Sequence, residues 1–397
     1  MSVKLSAERI LPADLDAALL VGRAWMPGSI AGPVVVGVWR GQVCDLTSLA
    51  PTSAQLLESP DLAMTVRGAL SSGRVPVLGP VDDFLAGPGE VARDPSRAAF
   101  LAPCDLQAVR ACGVTFVASM LERVIEEHAK GDPGQAEEIR ESLSREIGES
   151  LSSVRPGSPE AGRIKGLLVE RGLWSQYLEV GIGPDAEVFN KAQPMAAVGI
   201  GADIGILEAS SWNNPEPEVV LAVNSLGRIV GASLGNDVNL RDWEGRSALL
   251  LGRAKDNNAS CSIGPFIRLF DDSFTLDDLR GEDIEVEVVG PDGFGLTGRY
   301  SLTEISRDPA ELVAQALGSS HQYPDGLMLF LGTAFAPTQD RTGSGRGFTH
   351  VVGDVVTIRS RHLGALVNGV DFCHRIPPWS FGVGALMRNL AARGLLK

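Results

Sequence analysis

Histidine is scarce in this 397-residue chain. The five (128, 321, 350, 362, 374) show no HxxxH or HExxH spacing, which excludes a histidine-built zinc site. Cysteine is equally sparse, at 44, 104, 112, 261 and 373, an odd number without a CxxC pair. Such a set predicts reduced, mostly buried thiols and a cytoplasmic protein. Basic charge is short as well: 35 Lys and Arg face 49 Asp and Glu, for a net charge of −14. Binding to phosphate backbones needs a basic surface, so nucleic acid is excluded as a partner. No apolar run reaches the roughly 20 residues of a membrane helix. The opening "MSVKLSAERILPADLD" also lacks the charged-then-apolar pattern of a signal peptide. "GIGADIG" (199–205) has the wrong glycine spacing for a dinucleotide fingerprint, and no helix is expected after it. "DRTGSGRGFTH" (340–350) reads as a mobile loop rather than a phosphate cradle.

Hydrophobic residues make up 44% of the chain, enough for a large core, and 46 glycines with 24 prolines predict many turns and a strand-rich fold. Residues 1–105 read as a small N-terminal domain. Within it, "PVVVGVWRGQVCDLT" (33–47) predicts a hairpin around Arg40-Gly41, and "TSAQLLES" (52–59) predicts a helix capped by a hydroxyl. Residues 106–397 read as a second, larger domain. A strand in "DLQAVRACGVTF" (105–116) leads into a helical insertion over about 117–178, broken by Gly and Pro. From 180 to 375 short strands dominate, with one helix expected in "DPAELVAQALGSS" (308–320) and another near 381–397.

The chemistry concentrates around "NNPEPEVVLAV" (213–223). Glu216 and Glu218 flank Pro217 at the mouth of an apolar strand. Side chains two apart on a strand point the same way, so two negative charges stand side by side. Like charges at that range repel unless something positive lies between them. Asp237, in "GASLGNDVNLRDWEG", follows about one strand, a turn and a return strand later, so a third carboxylate can arrive beside the pair. Three carboxylates without a nearby histidine or thiolate are hard ligands that suit Mg²⁺, Mn²⁺ or Ca²⁺. Taken singly, each element has a plainer reading: Glu-x-Glu as a solvated strand face, Asp237 as a turn residue, Lys255 as a surface lysine.

The order of these elements is more specific. "EPEVVLAV", "GNDVNLRD", Lys255 in "GRAKDNNASCSIGPFI", Gly332-Thr333 in "LMLFLGTAF" and "VGDVVTIRSRHLGALVNGV" (352–370) follow one another along the chain. Over about residues 105–375 this resembles the fumarylacetoacetate hydrolase superfamily. The resemblance implies an α+β fold: a mixed β-roll catalytic domain with a helical lid insertion, beside the small N-terminal α/β domain. It makes Glu216, Glu218 and Asp237 the metal ligands, with Mg²⁺ or Mn²⁺ as cofactor, and Lys255 the active-site lysine. Thr333 and the Gly332 backbone would grip a substrate carboxylate, and Lys191 in "DAEVFNKAQPMAAVG", which matches the family lysine, would join the substrate-binding set with Phe116. Arg241 matches the family arginine, as a substrate contact or as a structural residue. Three carboxylates and one divalent ion leave a net charge of −1, and a lysine beside them restores balance and can donate to a developing oxyanion.

One position departs from the family's hydrolases, which carry Gly-x-Asn-Tyr-x-x-His-x-x-Glu on a lid helix. "GVTFVASMLE" (113–122) places Phe116 at the aromatic, Ser119 at the histidine and Glu122 at the glutamate. Serine is no water-activating base near neutral pH. Ser119, Glu122 and Glu126 share a helix face by their i, i+3, i+7 spacing. With the helical insertion, this resembles the branch of 2-keto-3-deoxypentonate dehydratases, which form 2,5-dioxopentanoate. A 2-oxo acid chelates a divalent ion through its carboxylate and keto oxygen, which acidifies the C3 protons, and Glu122 above the metal would shuttle protons. The implied partner is a small-molecule 2-keto acid, and the implied assembly a homodimer or homotetramer without a membrane. Two other readings stand beside this one. The first is a metal-dependent hydrolase or decarboxylase acting on a 2,4-diketo acid or oxaloacetate. The second is a non-catalytic protein that binds sugar acids or divalent ions.

Overall fold

The computed structural model describes residues 5–85, 96–140, 154–170, 172 and 174–396. Among these, eleven strands form one mixed sheet and five form a second. The middle of the larger sheet uses β1 (Leu20–Met26), β2 (Ala108–Cys112), β3 (Val188–Ala192), β4 (Pro217–Val223), β5 (Ile229–Asp237), β6 (Cys261–Leu269) and β7 (Leu327–Phe330). Their order is β1-β6-β5-β4-β7-β2-β3, and β7 with β2 is the parallel pair in this path. The smaller sheet runs Gly295–Ser301, Asp283–Val289, Val355–Ser360, Gly364–Phe372, Asp203–Ile206, antiparallel except for the last pair.

β4 shows why the sheets stack. All seven of its residues are buried, so both of its faces are covered. Val219, Leu221 and Val223 join one apolar cluster with Ile284, Val286 and Ile358 of the smaller sheet. Val220 and Ala222 point the other way, into a second cluster with Met328, Phe330 and Ile263. This is the period-two alternation of a strand used on both sides. Glu216 and Glu218 continue the even-numbered row beyond Val220.

The N-terminal hairpin forms where expected. Gly32–Trp39 and Gln42–Asp45 pair across Arg40 and Gly41, both at positive φ (52° and 74°), the backbone of a two-residue turn whose twist matches its strands. The helix Ser53–Leu57 is capped by Thr52, whose side chain accepts from the Gln55 N–H. The expected boundary after residue 105 crosses a continuous sheet: β1 is hydrogen-bonded to β6 with Leu20 opposite Arg268 and Val21 opposite Ile267.

Within the expected insertion, the described helices are α1 (Val117–His128), α2 (Pro159–Glu170) and α3 (Gln176–Ile182), with helical residues also at 133–140. Most of the expected helix in "AEEIRESLSREIGESL" lies outside the described residues. Met120, Val124 and Ile125 form the buried stripe of α1 and pack with Leu168, Leu178 and Ile182. α3 begins at Ser175, whose hydroxyl accepts from the Tyr177 N–H. Two short helices, α4 (Arg241–Glu244) and α5 (Leu251–Lys255), follow the β4–β5 hairpin. Pro309–Ala316 and Val383–Ala392 supply the two later helices.

Candidate active site

The β4–β5 hairpin assembles the acidic group. Pro217 pairs with Asn236 and Glu218 with Gly235, and the Asp237 N–H donates to the Glu216 carbonyl at 3.0 Å. Residues opposite one another in an antiparallel pair project to the same face. Glu216, Glu218 and Asp237 therefore share a face, and a carboxylate oxygen from each lies within 4.8 Å of the others. Gly235 keeps the row clear, because a Cβ there would meet Phe330 at 2.3 Å and Val220 at 2.5 Å. All three carboxylates are buried.

The chain itself supplies the positive charge between them. The Lys255 ammonium lies 2.7 Å from Glu216, 3.2 Å from Asp237 and 3.3 Å from Glu244. Lys191 reaches Asp237 from behind at 3.0 Å and donates to the Lys255 carbonyl at 2.7 Å. Arg123 bridges Glu216 and Glu126 at 2.8 Å each and Glu244 at 2.5 Å. These contacts drive the carboxyl affinities apart. Burial would raise Asp237, but Lys191 and Lys255 outweigh it and hold it below the ordinary carboxylate range. Burial, reinforced by Asp237 and Glu216, pushes Glu218 well above that range, against the Lys255 charge and the N–H of Gly332. Burial also lifts Glu244 to about 7, although Arg123 and Lys255 pull it down. Lys255 is raised: burial opposes its charge, but Asp237, Glu216 and Glu244 favour it more.

A narrow cavity opens over this group. The triad, Lys255 and Glu244 line it from the sheet side with Phe189, Gly332 and Thr333; Ser119, Arg123 and Tyr177 line it from the helical side, and Glu187 enters beside Gly113. Among the residues expected to contact substrate, Phe116, Lys191 and Arg241 do not line this cavity, and Arg241 takes the structural role that was also open to it. Phe116 is buried edge-on against Tyr300, with ring centroids 5.2 Å apart, and belongs to the core rather than the cavity wall. Lys191 is fully buried behind Asp237 and supports that carboxylate. Arg241 is buried over the Trp212 ring at 4.3 Å, clamping Glu126 at 2.6 Å and Glu122 at 2.7 Å. Gly332 is also committed: its N–H donates to Glu218 at 2.6 Å rather than standing free for a substrate. It must be glycine, since its φ is +87° and a Cβ would meet the Thr115 hydroxyl at 2.1 Å. Thr333 does line the cavity, its hydroxyl accepting from the Phe335 N–H at 3.0 Å.

Glu122 requires the largest correction. It does not line the triad cavity. Its carboxylate is held by Arg140 at 2.7 and 2.9 Å and by Arg241 at 2.7 Å. Burial works upward on it, but the two arginines outweigh that and hold it below the usual range, so it is poorly suited to carry protons. Glu122→Gln is expected to lower stability by about 1–3 kcal/mol, the scale for leaving charged, part-buried donors unmatched, while divalent-ion affinity stays as in the wild type. Chemical denaturation and metal titration of the variant measure both; a lost metal site with unchanged stability would reverse the assignment.

Sequence reasoning missed Arg123, Glu187, Glu244 and Tyr177. Arg123 sits three residues before Glu126, and Glu244 three after Arg241, so helical spacing alone reads them as local ion pairs. Glu187 immediately precedes β3, the strand that carries Phe189 and Lys191, and lines the cavity with Phe189. Its carboxylate has no hydrogen-bond or ion-pair partner among the described residues. Burial raises its affinity for a proton, against Arg123 and Lys255.

No family model matches the chain. It is 30% identical over 187 residues to 2-dehydro-3-deoxy-D-arabinonate dehydratase of Saccharolobus solfataricus, covering 46% of this chain and 58% of that protein. It is 31% identical over 204 residues to a probable 2-keto-3-deoxyxylonate dehydratase of Haloferax volcanii, covering 51% and 65%. The matched region thus spans about three-fifths of these curated relatives. The fold is shared more widely. A 2-keto-3-deoxy-D-arabinonate dehydratase complexed with magnesium and 2,5-dioxopentanoate superposes with a TM-score of 0.56 at 20% identity, over 89% of this chain and 99% of that one. A fumarylacetoacetate hydrolase from Exiguobacterium antarcticum does so with a TM-score of 0.52 at 16% identity, over 89% and 100%. The mixed α/β architecture of large mixed sheets is the one these structures have.

Proposed function

We propose that this chain is a Mg²⁺-dependent dehydratase that converts a 2-keto-3-deoxypentonate to 2,5-dioxopentanoate. The observation that carries the reading is the buried hairpin triad in a chain similar to two sugar-acid dehydratases. Glu216, Glu218 and Asp237 would hold the ion: three hard oxygen donors, with no thiolate or imidazole among the cavity-lining residues apart from the protonated Cys112, fit Mg²⁺ or Mn²⁺. When bound, the ion supplies polarisation of the substrate's carboxylate and keto oxygen, which makes the C3 protons acidic.

The chain's own residues do the rest. Lys255, held charged by its three carboxylate neighbours, donates toward the oxygen on which negative charge grows. Arg123 keeps Glu216 and Glu244 in place. Glu187 is the carboxyl in the cavity without a partner, and its raised proton affinity suits it to take the C3 proton and deliver a proton to the departing C4 hydroxyl. Transfer of a C5 proton to C3 then gives the C4=C5 enol, which becomes the aldehyde when C4 takes up a proton and the enol hydroxyl releases one. Ser119 stands where the hydrolases carry a water-activating histidine, which favours elimination over hydrolysis. Thr333 is assigned to the substrate carboxylate. We also assign the enzyme to the cytoplasm as a homodimer or homotetramer; none of the described helices is long and apolar enough to cross a membrane.

The test is a coupled assay. The full chain, Mg²⁺ and each C4 epimer of 2-keto-3-deoxypentonate are mixed with a semialdehyde dehydrogenase that reports the aldehyde product. Product from at least one epimer is expected, with loss on chelation, recovery with Mg²⁺ or Mn²⁺, and weaker recovery with the larger Ca²⁺. No product from either epimer, or full activity after exhaustive chelation, sinks the reading.

A further inference from the structure

A dehydratase for sugar acids must also recognise the hydroxylated end of its substrate, and the helical side of the cavity carries a group for that purpose. Tyr177 is the second residue of α3, outside the sheet that builds the triad. It is 8% exposed and lines the cavity. Its hydroxyl has no hydrogen-bond partner among the described residues. The ring is buried but its hydroxyl oxygen is not sealed from the cavity, so it can take a ligand atom as its partner.

The helix is fixed in a way that holds the ring there. Ser175 caps α3 and donates to Glu127 of α1 at 2.5 Å, and the Gln176 amide donates to the other oxygen of Glu127 at 2.9 Å. Gly181 lets α3 approach α1, because a Cβ there would meet the Met120 sulfur at 2.2 Å. The phenol stays protonated: burial raises its proton affinity, against the pull of Arg123. It is therefore a donor that can also accept.

We propose that Tyr177 is a specificity-determining residue whose hydroxyl hydrogen-bonds the terminal hydroxyl of the substrate chain. The triad end of the cavity takes the 2-oxo acid group, and the α3 end takes the distal carbon. This assignment rests on the 2-oxo acid reading above and adds the group that distinguishes a sugar acid from a plain 2-oxo acid. A site with a donor placed for a substrate hydroxyl disfavours the analogue that lacks it.

Two unreactive ligands differing by that one hydroxyl test it: 5-hydroxy-2-oxopentanoate and 2-oxopentanoate. Neither has a C4 hydroxyl to eliminate. Calorimetry of the Mg²⁺-loaded full chain is expected to show the hydroxylated acid binding roughly 5- to 10-fold tighter, the scale of one net hydrogen bond. Tyr177→Phe is expected to erase that preference while keeping the 2-oxopentanoate affinity within about twofold and the melting temperature near that of the wild type. No preference in the wild type, a preference retained in Tyr177→Phe, or equal weakening of both acids overturns the assignment. If the preference behaves as expected but no keto-deoxy acid is turned over, the dehydratase reading fails and the role of Tyr177 stands. If neither acid binds the wild type, both fall.

Discussion

Glu218→Gln is expected to weaken Mg²⁺ binding by at least about 100-fold, the upper scale for losing even a supporting group around a metal, and to remove turnover with it. The substitution keeps the side chain's shape and leaves an amide oxygen for the Gly332 N–H. What it removes is the negative charge that a hard cation requires. The metal-free protein should hardly notice. Burial and two neighbouring carboxylates raise the proton affinity of Glu218, so its negative charge is disfavoured there without metal and a neutral amide relieves that cost. The melting temperature without metal should therefore match or exceed that of the wild type, while the rise on adding Mg²⁺ disappears. Asp237→Asn contrasts with it. That carboxylate is held ionised by Lys191 and Lys255, so losing its charge strands the fully buried Lys191 ammonium and lowers both stability and metal affinity. Calorimetric titration and thermal unfolding of the two variants separate these outcomes. Wild-type metal affinity in either would place the ion elsewhere.

Arg123→Met is expected to be the most destabilising single change at the site. The guanidinium joins Glu126, Glu216 and Glu244, whose side chains are 3%, 10% and 4% exposed. Removing one partner of a buried charge cluster leaves uncompensated charge behind and costs about 3–5 kcal/mol. Glu126 retains Arg241, while Glu216 and Glu244 are left to share Lys255 with Asp237, so the loss falls hardest on those two. A divalent ion adds positive charge beside Glu216, so Mg²⁺ should restore part of the stability and protect the variant more than it protects the wild type. Denaturant unfolding with and without Mg²⁺ measures this. A cost under about 1 kcal/mol without metal would mean that the cluster is solvated and that Arg123 does not organise it.

Much of the triad was legible because it is local. The Glu-x-Glu spacing on a strand and a return strand of the right length leave few ways to arrange three carboxylates, and the β4–β5 pairing brings Asp237 opposite Glu216. Lys255 could be anticipated only through the order of motifs, because it lies 39 positions beyond Glu216 and no periodicity links them. The lid was harder. The i, i+3, i+7 spacing put Ser119, Glu122 and Glu126 on one side of α1. The two glutamates do share Arg241, but Ser119 lines the cavity and Glu122 does not, and spacing cannot say what the glutamate side meets. It meets Arg241, with Arg140 beyond, and the face turned to the cavity is that of Ser119 and Arg123.

The sequence by itself determined that three carboxylates gather at one hairpin, and that acidic side chains outnumber basic ones. It also determined the local devices, such as the Arg40-Gly41 turn and the Thr52 cap, because these depend on neighbours a few residues apart. Tertiary structure alone decided which carboxyl is tied up and which is left without a close partner. Glu122 and Glu187 are the same residue type, and nothing within a few positions of either marks the difference. Packing of α1 against α4 and the helical residues around Arg140 surrounds the first with two guanidinium groups. The start of β3 leaves the second unpaired at the cavity. Proton affinity in a folded protein is set by burial and by charges brought near through space, and those distances are not written along the chain.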